Sequence, residues 1–498
     1  MQPSVKIFSP NLSAGDSSAL PGFTPTGIKR RFCRINIGVF LAQVLVCILP
    51  AAGLLALGQT ALAGYYFFGM LGLVLLRLAV AGRRDEILCL ILAVGPFLNL
   101  LRQFAFYNVV IAIFVLGLFY YFALASGTLR DTVKKIPLVW ALALFVTVFY
   151  LISFINTRQY SVNVRMFELV FAVIYVLVIG RNPVLLGAAL LGLVLSACAV
   201  GCSMLPHIAS GARLGMIETG GQTIGNPTQL GIPLAFGFLA LSVDRGRWLN
   251  LQTKPFWRLV LIIPILTLLA LTTSRAAWLV SAGGIVIAII FGSRQRFKML
   301  LIIAFSLGAF FAVLKSPFGE SLERGLKRTF DDQRSMRQRT SGRSDQWKVA
   351  WYAFNKSVNS MIGGYGPGMG PEVYAKYSGL VDGVKYGVGK KASLHSLFMQ
   401  IGVEAGLVGL SLVALWLLIC LIKILRQTLR SNVVFPVICF FGYVFIVVTV
   451  SGGDINSGLF LGLALLGTLA IANPTEKITE ISVNKIEFSR WETGEIEL

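Results

Sequence analysis

Charge is scarce in this sequence. Only 13% of its 498 residues are Asp, Glu, Lys or Arg, against 56% hydrophobic residues. That balance excludes a soluble globular domain, in which charged residues make up about a quarter of the chain. Histidine is scarcer still, with His207 and His395 alone. Acidic residues are half as many as basic ones, 22 against 44, for a formal net charge of +22. Such an excess invites a nucleic-acid reading, but the basic residues sit in short clusters between apolar runs, where orientation rules put them. Cysteine is confined: six of the seven (Cys47, Cys89, Cys198, Cys202, Cys420, Cys439) fall in apolar runs and Cys33 precedes the first. The one long polar stretch has none, so no disulfide framework holds it. Cys198 and Cys202 stand at i, i+4 with no further ligand type beside them, which reads as packing rather than metal ligation. No internal repeat is visible. The first 34 residues lack an apolar core before Lys29, Arg30, Arg31 and Arg34, so they read as a disordered cytoplasmic tail rather than a signal peptide.

What is present is a succession of apolar runs of membrane-spanning length. Runs of roughly 17–25 residues give about fourteen spans, near 35–57, 61–82, 86–101, 107–126, 136–155, 166–181, 183–205, 226–243, 256–273, 276–293, 298–314, 396–422, 433–451 and 457–473. The expected fold is an all-α polytopic membrane protein, with one large loop of short helices between spans 11 and 12. The parts are a tail at 1–34, spans 1–11 over 35–314, the loop at 315–394, spans 12–14 over 395–473, and a second, mildly acidic tail at 474–498.

Loop charges orient these spans. Alternate loops carry Arg83 and Arg84; Arg130, Lys134 and Lys135; Arg181; Arg245, Arg247, Lys254 and Arg258; Arg294, Arg296 and Lys298; and Lys423, Arg426 and Arg430. The opposite short loops carry only Arg102, Arg158, Arg165, Arg213 and Arg275. This asymmetry predicts that both tails are cytoplasmic and the long loop faces outward.

Residues 316–344 of that loop are dense in charge, which suits a solvated helix face. Trp347, Ala350, Trp351 and Phe354 then recur at the spacing of an amphipathic helix. A glycine-rich run, Gly363 to Gly370, interrupts any helix. It lacks the preceding strand and the following Lys-Ser/Thr of a phosphate loop. Two or three short helices are expected to cap the bundle.

Residues with phosphate and proton chemistry collect on the predicted outer face. Arg213 follows span 7, Arg275 opens span 10, Arg343 lies in the long loop, and His395 opens span 12. The planar guanidinium fork suits phosphate oxygens and keeps its charge. Histidine, with an ordinary pKa near 6.5, is suited to take a proton from an attacking hydroxyl. The competing readings are structural: an arginine at a membrane edge commonly contacts headgroups, and a histidine at a helix start commonly caps it, as expected of His207. Arg165 and Glu168 read as a structural pair. Glu404, nine residues beyond His395, falls on the opposite face of a regular helix and reads as a buried structural carboxylate.

Together these segments resemble the bacterial O-antigen ligase and polymerase superfamily, over roughly residues 200–470. Arg213-Leu214-Gly215, followed by Gly225-Asn226-Pro227-Thr228-Gln229-Leu230-Gly231, resembles its Arg–Gly and Asn-Pro-Asn segment, with Thr228 in place of the second Asn. Ser274-Arg275-Ala276-Ala277 resembles its Ser-Arg-Gly/Ala motif. Ser341-Gly342-Arg343 with Trp347 resembles the start of its periplasmic helix, and Gly364-Tyr365-Gly366-Pro367-Gly368 its Gly-x-Gly-x-Gly loop. His395-Ser396, running to Glu404-Ala405-Gly406, resembles its His-Asn signature, with Ser396 in place of Asn. The resemblance implies metal-independent, cofactor-free glycosyl transfer at the periplasmic face of the inner membrane. The donor it implies is a glycan on undecaprenyl diphosphate, the acceptor a glycan or lipid-linked sugar, and a chain-length regulator is among the implied partners. By position, His395 would be the base, Arg213 and Arg275 would hold the diphosphate, and Arg343 would assist. The predicted span count and long loop favour a polymerase of surface polysaccharide repeats (O-antigen or exopolysaccharide) over a ligase acting on lipid A core. A flippase is the reading from another class, and midplane binding groups on repeated halves, which would support it, are missing.

Overall fold

The computed structural model describes residues 37–81, 83–101, 183–208, 214, 217–219, 222–224, 227–243, 247–249, 255–291, 296–330, 342–366, 368–392, 394–431 and 433–449. The predicted tails, the predicted spans at 107–126, 136–155, 166–181 and 457–473, Arg213, and the Arg165–Glu168 pair lie outside the described residues.

The described chain is helical apart from one hairpin of two three-residue strands. In the first bundle segment, α1 is Ile37–Ala56, α2 Thr60–Val80, α3 Arg84–Ala93, α4 Gly95–Leu100 and α5 Pro183–Ile208. The run predicted as one span at 86–101 is thus two short helices, parted at Val94 just before Pro96. Next, β1 (Ile217–Thr219) pairs antiparallel with β2 (Gln222–Ile224). Then follow α6 (Pro227–Ser242), α7 (Pro255–Leu271), α8 (Arg275–Phe291) and α9 (Arg296–Lys315). Four short helices, α10 (Gly319–Phe330), α11 (Arg343–Phe354), α12 (Val358–Gly363) and α13 (Gly370–Tyr377), precede α14 (Leu397–Ser431) and α15 (Phe435–Thr449).

Among the described residues, four helices are individually long and apolar enough to cross a membrane: α1, α2, α5 and α14. Five shorter apolar helices, α6 to α9 and α15, accompany them, giving a multi-pass membrane protein. Within its apolar stretch α5 is 67% buried, against 44% for α1 and α2, and α1, α3, α4 and α6 pack against it. Gly192 lets α3 come close, since a methyl there would lie 2.6 Å from the Ala93 methyl. At the far end of α5, the His207 ring meets the Leu55 carbonyl at 3.1 Å, a helix-joining contact.

The cap helices follow elementary rules with one offset. On α10, Glu323 pairs with Lys327 at 2.7 Å and Glu320 with Arg324 at 4.0 Å, the i, i+4 spacing of a solvated face. Helix α11 forms where the aromatic spacing predicts it. Its buried face, however, is Asp345, Gln346, Val349, Ala350 and Ala353, while Trp351 is 62% exposed and stacks on Phe354. Apolar spacing misses this because two polar residues share the buried face. Val349, Ala350 and Ala353 join Val373, Tyr374, Tyr377, Leu394 and Val403 in a core of the cap.

The run predicted as a continuous span at 396–422 is broken at Gly406, whose φ of 61° and ψ of −158° are not helical. The cause lies forty residues away. Gly364 (φ +71°) presses on the same turn: a methyl on Gly364 would lie 2.4 Å from the Glu404 carbonyl carbon. One on Gly406 would lie 2.2 Å from the Ile362 carbonyl oxygen. Tyr365 N–H donates to the Val403 carbonyl at 2.7 Å and Gly366 N–H to that of Glu404 at 2.9 Å. Two backbones therefore cross at van der Waals distance, which only hydrogen side chains and left-handed φ permit. The glycine-rich run clasps a helix rather than cradling a phosphate.

Candidate functional site at the capped end of the bundle

Two turns set the site. The first is Thr272-Thr273-Ser274, between α7 and α8. Thr272 Oγ1 donates to the Leu269 carbonyl at 2.7 Å, and the Ser274 hydroxyl accepts from the Ala277 N–H at 3.4 Å. Ser274 thus stands at the start of α8 as a cap, and Arg275 is the first helical residue. Ser274 also donates to the Thr228 hydroxyl at 3.3 Å, joining the head of α6 to the Ser274-Arg275 turn. Thr228 thus makes a polar link between the head of α6 and the turn before α8.

The second turn is Leu394-His395-Ser396, ahead of α14. Ser396 is buried, and its carbonyl accepts from the Gln400 N–H. Among the described residues, the only non-glycine residues with positive φ are Thr273 (49°) and His395 (46°). Each such residue costs on the order of 1–3 kcal/mol and persists only where its surroundings hold it. For β-branched Thr273 the conformation is unusual. Both strained positions thus fall within two residues of a sequence-nominated site residue or on it.

Electrostatics bring three of the four nominated residues together. Burial lowers the Arg343 pKa, and the positive charge of Arg275 lowers it further. Burial and then the Arg343 charge push His395 down from 6.5 to about 4. Arg275 at the start of α8, Arg343 at the start of α11 and His395 before α14 therefore share one electrostatic environment. The expectation of a His395 pKa near 6.5 is corrected: out of water and beside the Arg343 charge, the imidazolium is disfavoured and the ring is uncharged at pH 7. Among the described residues no carboxylate lies within ion-pair distance of Arg275. Two guanidiniums gathered in this way suit an anion.

The neighbouring acidic groups have other duties. Glu404 accepts from the Gln400 side chain at 2.7 Å and from the Gly370 N–H at 3.3 Å, a buried anchor for α13 as the sequence suggests. Asp345 accepts from the N–H groups of Lys385 and Tyr386 at 3.0 and 3.2 Å. Tyr374 donates its hydroxyl to the Tyr386 carbonyl. The loop after α13 is thereby pinned to the first turn of α11. Among the described residues no three of His, Cys, Asp and Glu converge as a metal site requires.

Sequence reasoning missed Gln346 and Thr273. Gln346 is fully buried, and among the described residues neither atom of its amide finds a hydrogen-bond partner; the Thr273 hydroxyl and the Trp347 indole N–H are likewise buried and unpartnered there. A glutamine on an apolar helix face was the available signal.

The family model described as O-antigen ligase matches residues 259–414. That stretch contains Arg275, Arg343 and His395, and excludes Arg213 and the head of α6. No curated protein matches the chain.

Proposed function

We propose that this chain, which matches the O-antigen ligase family model over residues 259–414, moves a glycan from undecaprenyl diphosphate to an acceptor hydroxyl at the capped end of its bundle. The observation that carries the reading is the shared environment of Arg275, Arg343 and His395 beside two strained turns.

The chemistry follows from those residues. Arg275 and Arg343, joined by Arg213 from the segment before the hairpin, hold the diphosphate oxygens. A charge pair about 4 Å apart contributes roughly 4 kcal/mol at an effective dielectric near 20, so two pairs anchor the group and stabilise it as it leaves. The acceptor oxygen attacks the anomeric carbon, and the carbon–oxygen bond to the diphosphate breaks. The bonding electrons stay on the diphosphate, facing the guanidiniums. The acceptor proton passes to neutral His395. A weak base in the empty site, His395 gains basicity as the diphosphate offsets the Arg343 charge. No step calls for a metal or cofactor.

Compartment and acceptor complete the proposal. Along the sequence, Lys/Arg clusters at 245–258, 294–298 and 423–430 alternate with connections poor in basic residues, which supports a periplasmic site in the inner membrane and cytoplasmic tails. The span count and long polar stretch expected from the sequence favour a polymerase of repeat units. Glycan profiling of a deletion strain tests this: single repeats on the acceptor are expected, and long chains left unattached would indicate a ligase instead. Purified protein with a lipid-linked donor is expected to turn over in chelator, and strict dependence on a divalent ion would overturn the mechanism.

A further inference from the structure

Gln346 lies one turn beyond Arg343, and Trp347 lies at i+4 from it, so all three occupy one side of α11. Helical side chains lean toward their own N-terminus, so Gln346 and Trp347 lean toward Arg343. Helix α11 runs alongside the first stretch of α14. Phe354 comes within 3.5 Å of where a methyl on Gly402 would sit, and at the other end Arg343 acts on His395. The apolar core of the cap lies one turn deeper, at Val349 and Ala350, with Leu394 in it immediately before His395. Along α11, Gln346 therefore lies between that core and Arg343.

Its environment is incomplete. The residue is 0% exposed, and both the amide oxygen and nitrogen lack partners among the described residues. The Trp347 Nε1 and the Thr273 hydroxyl, two residues from Arg275, are also buried without partners. Buried polar groups are normally satisfied, and each exception calls for a specific explanation. Leucine or methionine would fill the Gln346 position without leaving an amide unsatisfied. An amide offers donor and acceptor together, an indole N–H a further donor and a hydroxyl both, which is the complement of sugar hydroxyl and acetamido groups.

We infer that Gln346, with Trp347 and Thr273, forms the subsite that reads the sugar joined directly to the diphosphate of the donor. This rests on the transfer reading above and adds to it a specificity-determining residue. Gln346 and Trp347 lie one helical turn from Arg343, which suits the first sugar beyond the phosphate. It discriminates by hydrogen bonds: a donor lacking the matching group leaves the amide unpaired, the strongest form of rejection available to a binding site.

The test uses the full chain in lipid nanodiscs. Binding is measured for bare undecaprenyl diphosphate and for the same lipid bearing glucose, galactose, N-acetylglucosamine or N-acetylgalactosamine. The native chain is expected to prefer one sugar-bearing lipid over the bare lipid. Gln346→Met is expected to cut that preference about tenfold, the scale of a lost hydrogen-bonded contact, while bare-lipid affinity and the melting temperature hold or rise. Trp347→Phe, which keeps the ring and loses the N–H, is expected to cut it less. The inference is overturned if Gln346→Met leaves the preference intact, or if the native chain binds bare lipid but prefers no sugar. A fall in melting temperature with equal loss for all five lipids also overturns it. Failure of the native chain to bind even the bare lipid would instead sink the transfer reading beneath it.

Discussion

The two histidines of this chain make the electrostatics of the site directly readable. His395 is held at about 4 by burial first and the Arg343 charge second. Each unit of pKa corresponds to about 1.4 kcal/mol, so the site opposes protonation of His395 by roughly 3 kcal/mol. A depressed folded pKa means that the unfolded chain binds the proton first. Folding stability is therefore expected to be greatest above about pH 6.5 and to decline by about that amount as the pH falls to 4. Histidine-labelled protein gives two ring signals by NMR, and His207→Asn assigns them. His395 is expected to titrate near pH 4 in the empty protein. Replacing Arg343 with Gln is expected to move it upward by less than half of the distance to 6.5, because burial is the larger cause. Undecaprenyl diphosphate is expected to move it upward in the native chain, as its negative charge offsets Arg343. A ring that titrates near 6.5 in the empty protein, or ignores both the Arg343 substitution and the lipid, would refute the reasoning.

Further expectations follow from single residues. Arg275→Lys keeps the charge and loses the two-pronged donor; turnover is expected to fall about 10²–10³-fold at normal protein level, and a near-native rate would reduce Arg275 to a topological charge. Gly364→Ala and Gly406→Ala each place a methyl inside 2.5 Å of backbone at positive φ. Backbone strain alone costs about 1–3 kcal/mol, so both are expected to lower the melting temperature in detergent, and an unchanged melting curve would contradict the crossing. In a cysteine-free background, an impermeant maleimide in whole cells is expected to label a cysteine at Asp382 and to miss one at Ser17. The opposite pattern would put the site in the wrong compartment. His395→Ala is expected to reduce transfer about 10²–10⁴-fold with bare-lipid binding retained, and full activity would remove His395 from the reaction.

Local features of this chain were legible and distant ones were not. The limits of α5 to α9 follow the apolar runs to within about three residues, since burial in hydrocarbon is a property of each run taken alone. Arg275 and His395 stand out in the sequence because charge at the edge of apolar runs is costly and therefore conspicuous, whereas Arg343 sits in a charge-dense stretch and stands out only through the Ser341-Gly342-Arg343 resemblance. The break at Gly406 was hidden. Nothing in Glu404-Ala405-Gly406-Leu407 stops a helix until Gly364 arrives against it from another segment. The pKa of His395 was hidden for the same reason, since it depends on Arg343, fifty-two residues earlier. Gln346 was passed over because periodicity counts apolar residues, while the face of α11 toward the site is partly polar.

The crossing of Gly364 and Gly406 has a consequence for how such a protein can change. A joint made of main chain against main chain carries no information in side chains. Segments on either side can alter their surfaces to suit a different sugar without disturbing the frame that holds His395 beside Arg343. What the joint cannot absorb is a single carbon atom on either glycine. Variation in specificity and invariance of scaffold are thereby assigned to different atoms of the same short stretch.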